Sequence, residues 1–187
     1  YMPHFISTVV IVGMLMQLFN PRTGAFGTLY QLPSGGNIMA DLFAKPEAFQ
    51  HLYVWSGIWQ GIGWSSIIYM AALAGIDESL HEAAEIDGAT RLQRIWYIDL
   101  PGILPTTIIM LILAAGGIMN IGFEKTYLMQ NTLNISRSEV ISTYVYKIGM
   151  VIGTGDYSYS TAIGLFNSVV NFIMLVTVNT FAKKVNN

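Results

Sequence analysis

The sequence predicts an all-α membrane protein, a polytopic helical bundle that crosses the bilayer four times within 187 residues. Three observations predict it. Charge is scarce: 11% of residues are Asp, Glu, Lys or Arg, against roughly 25% in soluble domains. The charges are gathered into connections, so that residues 1–21, 52–76, 102–123 and 157–182 carry none. Those stretches also hold many small residues, as in SGIWQGIGWSS, LAAGG and TAIGLFNS, which let helices approach closely in lipid.

A helical span takes about 20 mostly apolar residues. Spans are therefore expected at about 2–20, 52–76, 102–123 and 159–182, forming one transmembrane domain over residues 1–187. Helices of a soluble bundle would set a charged face against the apolar stripe, and these stretches have no charged face. Asn120, Asn167 and Asn171 lie in or near spans. An amide facing lipid is costly, so each is expected to face another helix or a watery cavity.

The connections differ in kind. Residues 20–50 hold NPRTGAFGTLYQLPSGGN, whose Pro, Gly and Asn predict an irregular loop. Residues 124–156 open with the polar EKTYLMQNTLNISRSEV and continue as ISTYVYKIGMVIG, expected as a short helix lying along the interface. Four spans put residues 77–101 on the opposite side, together with the tail KKVNN. Counting cations does not orient the chain: Arg91, Arg94, Lys183 and Lys184 oppose Arg22, Lys45, Lys125, Arg137 and Lys147. The net charge of −2 comes with no basic run suited to nucleic acid. With no cysteine, disulfides and thiolate metal sites are excluded. The chain opens at Tyr1 without a signal-peptide pattern, and is expected to be a fragment lacking its natural beginning.

The connection HEAAEIDGATRLQRIWYIDLP, residues 81–101, carries the densest charge. Two S/T-x-x-E/Q spacings, Ser79–Glu82 and Thr90–Gln93, predict capping boxes at two helix starts. Gly88 between them can end the first helix in a left-handed conformation. Pro101 stands where a new helix begins, its missing N–H harmless in the first turn. The expected order is short helix, sharp turn, short helix, then the next span. Glu82 and Glu85 suit cationic partners, while Ala83 and Ala84 leave a low surface that another protein can approach. The stretch from Arg91 to Tyr97 reads as an amphipathic turn resting on the membrane surface. Long, structured loops tend to be functional.

These residues resemble the EAA loop of permease subunits of ATP-binding-cassette importers, E-A-A-x3-G-x9-I-x-L-P. Glu82-Ala83-Ala84, Gly88, Ile98, Leu100 and Pro101 match every position of it at the right spacing. GIGWSSIIYMAALAGIDESLHEAA, GFEKTYLM, VISTYVYKIGM and TAIGLFNSVVNFIMLVTVN resemble the carbohydrate branch that includes LplB-type oligosaccharide permeases and, more distantly, the maltose permease subunit. The resemblance implies the type I importer (MetI-like) fold in a bacterial plasma (inner) membrane. It also implies that loop and tail are cytoplasmic and that the N-terminal helices of a six-span subunit are missing. It implies ABC ATPase subunits docked on the loop, a second homologous permease, and an extracellular or periplasmic sugar-binding protein. By the same resemblance, Glu82, Ala83, Ala84, Asp87, Gly88 and Arg91 couple to the ATPase, while Ile98, Leu100 and Pro101 anchor the loop to the next span.

No phosphate-binding G-x-x-x-x-G-K-[ST] occurs, so ATP is expected on the partner ATPase, and the chain itself is read as non-enzymatic, without cofactor or metal. His4, His51 and His81 show no metal-ligand spacing. Gly153-Thr154-Gly155-Asp156 spells G-x-G-D, a signature of intramembrane aspartyl proteases, but that chemistry needs a second aspartate and no expected span contains one. For the sugar path, Trp59, Gln60 and Trp64 are candidates, because aromatic faces stack on sugar rings and amides bond hydroxyls. Asn120, Glu124 and Asn167 are further candidates, and Trp55 is read as part of an interfacial aromatic belt. A non-sugar solute is the alternative substrate.

Overall fold

The computed structural model describes residues 1–151 and 156–185. Every regular element among them is helical. A 3-10 turn at Met2–Phe5 precedes α1 (Thr8–Leu18). Then come α2 (Ala25–Gln31), the long α3 (Pro46–Ala74), α4 (Glu78–Ile86) and α5 (Arg91–Arg94). A π-turn at Ile95–Asp99 joins α5 without a break to α6 (Leu100–Gly116). Next are α7 (Phe123–Met129), α8 (Ile135–Ser138) and α9 (Ile141–Tyr146), the last prolonged by a π-turn at Lys147–Val151. The chain ends in α10 (Tyr157–Val185).

Two expectations about elements need correction. Residues 2–20 do not form one span-length helix: Ser7 caps a fresh start and α1 has 11 residues, about 17 Å at 1.5 Å per residue. Residues 20–50 are not wholly irregular either, since they contain α2. That short helix is held by tertiary contact. Phe26 stacks on Phe19 at 4.7 Å, Gln31 Nε2 donates to the Pro21 carbonyl at 3.2 Å, and a Cβ on Gly27 would clash with the Asn20 carbonyl oxygen and stand 2.6 Å from that of Pro21, so only glycine fits there.

Among the described residues, two helical runs are long and apolar enough to cross a membrane, Arg91–Gly116 and Tyr157–Ala182. Each has 26 residues, about 39 Å as a helix. The helix α3 is longer, with 29 residues, but Gln60, Ser65 and Ser66 dilute its apolar character.

The chain divides into two compact bodies, residues 1–61 with 120–166, and residues 62–119 with 167–187. The first has a core of Val12, Phe43, Phe49 and Met129. Beside it lies a polar knot centred on Asn134, which is 1% exposed. Asn134 Nδ2 donates to the carbonyls of Phe43 and Met129, each at 3.0 Å. Its Oδ1 accepts from Asn131 N and Ser138 Oγ, each at 2.9 Å. The knot fastens the approach to α3 onto α7 and α8.

In the second body α6 and α10 come close. A Cβ on Gly116 would stand 2.8 Å from Leu175 Cδ1, and Asn171 Oδ1 accepts from Met119 N at 3.3 Å. Asn171 thus reaches the backbone of the turn that follows α6. Outward-facing Leu111, Leu113 and Phe172 are each at least 60% exposed. Apolar exposure on that scale marks a lipid or protein contact surface.

Candidate functional site

Residues 77–101 form an antiparallel helical hairpin whose local chemistry can be followed residue by residue. The first helix, α4, is capped by Asp77, whose Oδ1 accepts from Ser79 N at 3.0 Å. Bonds from the Ser79 backbone and hydroxyl hold this carboxyl below its ordinary range. This corrects the expected Ser79–Glu82 box. Asp is as good an N-cap as Ser, it stands two residues earlier, and the helix therefore starts one turn-fraction sooner.

The turn is a Schellman closure. Gly88 N donates to the Glu85 carbonyl at 3.1 Å and Ala89 N to the Ala84 carbonyl at 2.9 Å. Gly88 has φ of 74°, in the region that favours glycine. The Thr90–Gln93 capping box forms as expected: Gln93 Oε1 accepts from Thr90 N at 2.7 Å, and Thr90 Oγ1 accepts from Gln93 N at 3.4 Å.

Two side-chain contacts bridge the hairpin, the Arg94–Glu85 ion pair and a His81–Asp99 contact. His81 Nε2 stands 3.3 Å from Asp99 Oδ1, and Arg94 Nη1 stands 3.5 Å from Glu85 Oε2. Pairing 81 with 99 and 85 with 94 fixes the antiparallel register.

The second helix does not end before the span, as the sequence had suggested. It passes through the π-turn into α6, with Pro101 in the first turn of α6. Pro101 and Pro105 both lack an N–H, so the carbonyls four residues earlier go without their usual helical partner. Widening to a π-turn is one way a helix absorbs such a defect. Of the anchoring residues, Ile98 is half-buried, while Leu100 and Pro101 are exposed.

Glu82, Ala83, Asp87, Gly88 and Arg91 are all exposed, and Ala84 is half-buried. Leu80 and Ile86 of α4 are 52% and 86% exposed. The hairpin thus presents apolar and acidic side chains outward while its own backbone ends are satisfied. A short amphipathic helix with a free face is the form that lies in a groove of another protein.

The candidates for a substrate path are found as follows. Trp59, Gln60, Asn120 and Glu124 belong to the first body, Trp64 and Asn167 to the second. Gln60 is tied structurally, donating through Nε2 to the Ile6 carbonyl at 3.2 Å. Trp59 lines an apolar cavity of 520 Å³ with His51, Trp55 and Phe26. Trp64 is 45% exposed, Asn120 and Glu124 are exposed, and Asn167 is half-buried. Of G-x-G-D, residues 153–155 lie outside the described residues. Asp156 accepts from Tyr159 N at 2.9 Å, the bond expected at a helix start.

Sequence reasoning missed three features. Phe123, Tyr127 and Tyr146 form a partly exposed aromatic cluster with ring centroids 5.1–5.5 Å apart; the i, i+4 spacing of Phe123 and Tyr127 was its only signal. The buried Asn134 was invisible because its partner Phe43 is 91 residues away. Lys125 is the third. It is 9% exposed, its Nζ donates to the Tyr53 carbonyl at 3.1 Å, and it lies 5.0 Å from the centroid of the Tyr53 ring.

Burial holds the Lys125 ammonium below the usual lysine range. The folded chain then binds fewer protons than the unfolded chain just below the ordinary lysine pKa, so stability rises with pH in that window. Lys125→Met is expected to lose this alkaline slope. Its change in stability at neutral pH should stay within about 1 kcal/mol, because the Tyr53 carbonyl keeps Ser56 Oγ at 3.1 Å. Lys125→Glu would bury a carboxylate against a carbonyl and cost about 3 kcal/mol or more. Thermal melting of the purified subunit across pH checks both.

Comparison with known proteins agrees with this geometry. The family described as "Binding-protein-dependent transport system inner membrane component" matches residues 1–187. Protein LplB of Bacillus subtilis (strain 168) is 42% identical over 98% of this chain and 57% of its own length. The polygalacturonan/rhamnogalacturonan transport system permease protein YteP of the same organism is 39% identical over 98% of this chain and 56% of its own. A solved bacterial ABC transporter involved in the import of the acidic polysaccharide alginate superposes with a TM-score of 0.91 and 35% identity, covering 100% of this chain and 64% of that one. The chain thus spans less than two thirds of the length of these relatives. With a hairpin that carries every position of the loop motif, and a family match along its full length, the chain belongs to the inner membrane components of binding-protein-dependent transport systems.

Proposed function

We propose that the chain is a non-catalytic permease part of an ATP-driven sugar or oligosaccharide importer in the bacterial plasma (inner) membrane. The observation that carries this reading is the closed hairpin 77–101, with the exposed face of α4 open to a partner. In this reading the hairpin and tail are cytoplasmic, and ABC ATPase subunits bind ATP and dock on Glu82, Ala83, Ala84, Asp87, Gly88 and Arg91. A second homologous permease completes the pathway, and a sugar-binding protein delivers substrate to the outer face. The apolar parts of the runs Arg91–Gly116 and Tyr157–Ala182 cross the membrane beyond the hairpin, and α3, with 29 residues, is long enough to cross as well.

The substrate class follows from the relatives. One is a permease of a polygalacturonan/rhamnogalacturonan transport system, and the solved transporter is involved in importing alginate. An oligosaccharide is therefore the proposed cargo. The aromatic cluster of Phe123, Tyr127 and Tyr146 joins Trp59, Gln60, Trp64, Asn120, Glu124 and Asn167 as candidate contacts for it.

The test is uptake by proteoliposomes holding the full importer, with its binding protein, over a panel of oligogalacturonides, alginate oligosaccharides, maltodextrins and amino acids. ATP-dependent uptake of an oligosaccharide is expected. Uptake of amino acids alone would overturn the sugar assignment.

A further inference from the structure

The short helix α7 is two-sided. Lys125, Thr126 and Met129 are 9%, 0% and 1% exposed, and they turn one face into the first body. At about 100° per residue, Phe123, Glu124 and Tyr127 share the opposite face. Phe123 and Tyr127 are 37% and 41% exposed, and Glu124 is exposed beside them. From α9 comes Tyr146, half-buried. Its ring centroid lies 5.1 Å from that of Phe123 and 5.2 Å from that of Tyr127, at interplanar angles of 60° and 77°. Phe123 and Tyr127 lie 19° from parallel. Three rings thus fix one another's orientation at the surface, apart from the core of Val12, Phe43, Phe49 and Met129 that holds this body together.

What such a surface recognises follows from its chemistry. The face of an aromatic ring is negative, and the C–H groups on the face of a pyranose ring are weakly positive, so the two stack. Tyrosine hydroxyls at the ring edges both donate to and accept from sugar hydroxyls. The cations nearest in sequence are engaged elsewhere. Lys125 Nζ donates to the Tyr53 carbonyl at 3.1 Å, on the buried face, and Lys147 Nζ is held by Glu139 Oε1 at 2.9 Å. Glu124 remains beside the rings as an acceptor for hydroxyls. The other aromatic candidates have less polar company. Trp55 and Trp59 line a cavity whose other residues, His51 and Ser56 aside, are apolar. The Ser56 hydroxyl there is bonded to the Leu52 and Tyr53 carbonyls of its own helix.

We propose that Phe123, Tyr127 and Tyr146 form a stacking station for one pyranose ring of the cargo, reading the C–H face of the sugar. The proposal rests on the oligosaccharide reading and on the cytoplasmic placement of the hairpin given above. With α6 crossing outward from that hairpin, α7 and α9 stand at the outer mouth of the path. The sugar meets them after its binding protein has docked.

The test is uptake by proteoliposomes of the full importer, measured against the concentration of its loaded binding protein and scaled to the folded importer recovered. Tyr127→Leu keeps an apolar side chain but removes the ring. It is expected to lower maximal uptake about tenfold, with the half-saturating concentration of loaded binding protein unchanged. Tyr127→Phe keeps the ring and should retain most of the uptake. Equal losses in Tyr127→Leu and Tyr127→Phe would overturn the stacking role. So would a raised half-saturating concentration with maximal uptake unchanged, which would make the cluster a docking surface for the binding protein. If wild type carried amino acids and no oligosaccharide, the sugar reading itself would fall. Oligosaccharide uptake that Tyr127→Leu leaves at the wild-type level would remove the stacking station alone.

Discussion

Gly88→Asp is expected to leave the permease in the membrane at wild-type level and to cut ATP-dependent uptake about tenfold or more. Gly88 has φ of 74°, and an L-residue held in the left-handed region costs roughly 1–2 kcal/mol, a factor of about 5–30 in any equilibrium that requires it. A Cβ at this position meets nothing within 4 Å inside the chain. The substitution therefore does not clash with the subunit's own fold, and its harm falls on the geometry with which the hairpin meets a partner. The new carboxylate also stands next to Asp87 and close to Glu82 and Glu85. Gly88→Asn isolates the charge, since Asn and Asp enter the left-handed region more readily than other L-residues and only Asp carries a charge. It should retain more uptake than Gly88→Asp. Immunoblots of membranes, paired with uptake and substrate-stimulated ATP hydrolysis in proteoliposomes, give the answer. Full uptake by Gly88→Asp would remove the coupling role.

The largest loss of stability is expected from Asn134→Leu. Leucine fills a similar volume and removes four hydrogen bonds, to the Phe43 and Met129 carbonyls and from Asn131 N and Ser138 Oγ. The Phe43 carbonyl keeps a second donor, Asn131 Nδ2 at 2.8 Å. Of the other three, the groups of Met129 (1% exposed) and Ser138 (0%) are stranded, while Asn131 is an exposed residue. Each stranded group costs about 1–3 kcal/mol, so the two buried ones give a total of about 2–6 kcal/mol, lowering the melting temperature by about 10 °C. Ser138→Ala removes one bond together with its hydroxyl and should cost only about 1 kcal/mol. Differential scanning fluorimetry of the detergent-solubilised subunit distinguishes the two. Equal melting of Asn134→Leu and wild type would mean that the knot does not hold the first body together.

The hairpin was legible because its determinants are local. The Thr90–Gln93 box, the turn at Gly88 and the start at Pro101 each depend on residues within four positions of one another. The failure at Ser79 has the same origin: Asp77 and Ser79 compete for the same orphan N–H groups, and spacing alone does not rank them. What the sequence hid is long-range. The short helix α2 exists because Phe26 stacks on Phe19 and Gly27 fits against the Asn20–Pro21 backbone, contacts that local propensity does not report. Lys125 reads as an ordinary loop cation until Tyr53, 72 residues away, is brought beneath it. The candidate path residues were chosen for their chemistry. Chemistry does not say that Gln60 is already bonded to Ile6. The continuous run from α5 into α6 was missed because Pro101 signals a helix start, and the π-turn that accommodates it has no sequence signature of its own.

The account stands on the hairpin being the point where ATP-driven motion enters. The chain has no cysteine, so Ala83→Cys creates a single addressable thiol on the exposed face of α4. A short photoactivatable cross-linker attached there, in membranes containing the complete importer, reports what this face touches. The expected product joins this chain to the ATPase subunit, with a yield that changes between nucleotide-free and ATP-bound states. Cross-links to lipid alone, or labelling of the thiol only from the outer side of the membrane, would contradict the central claim.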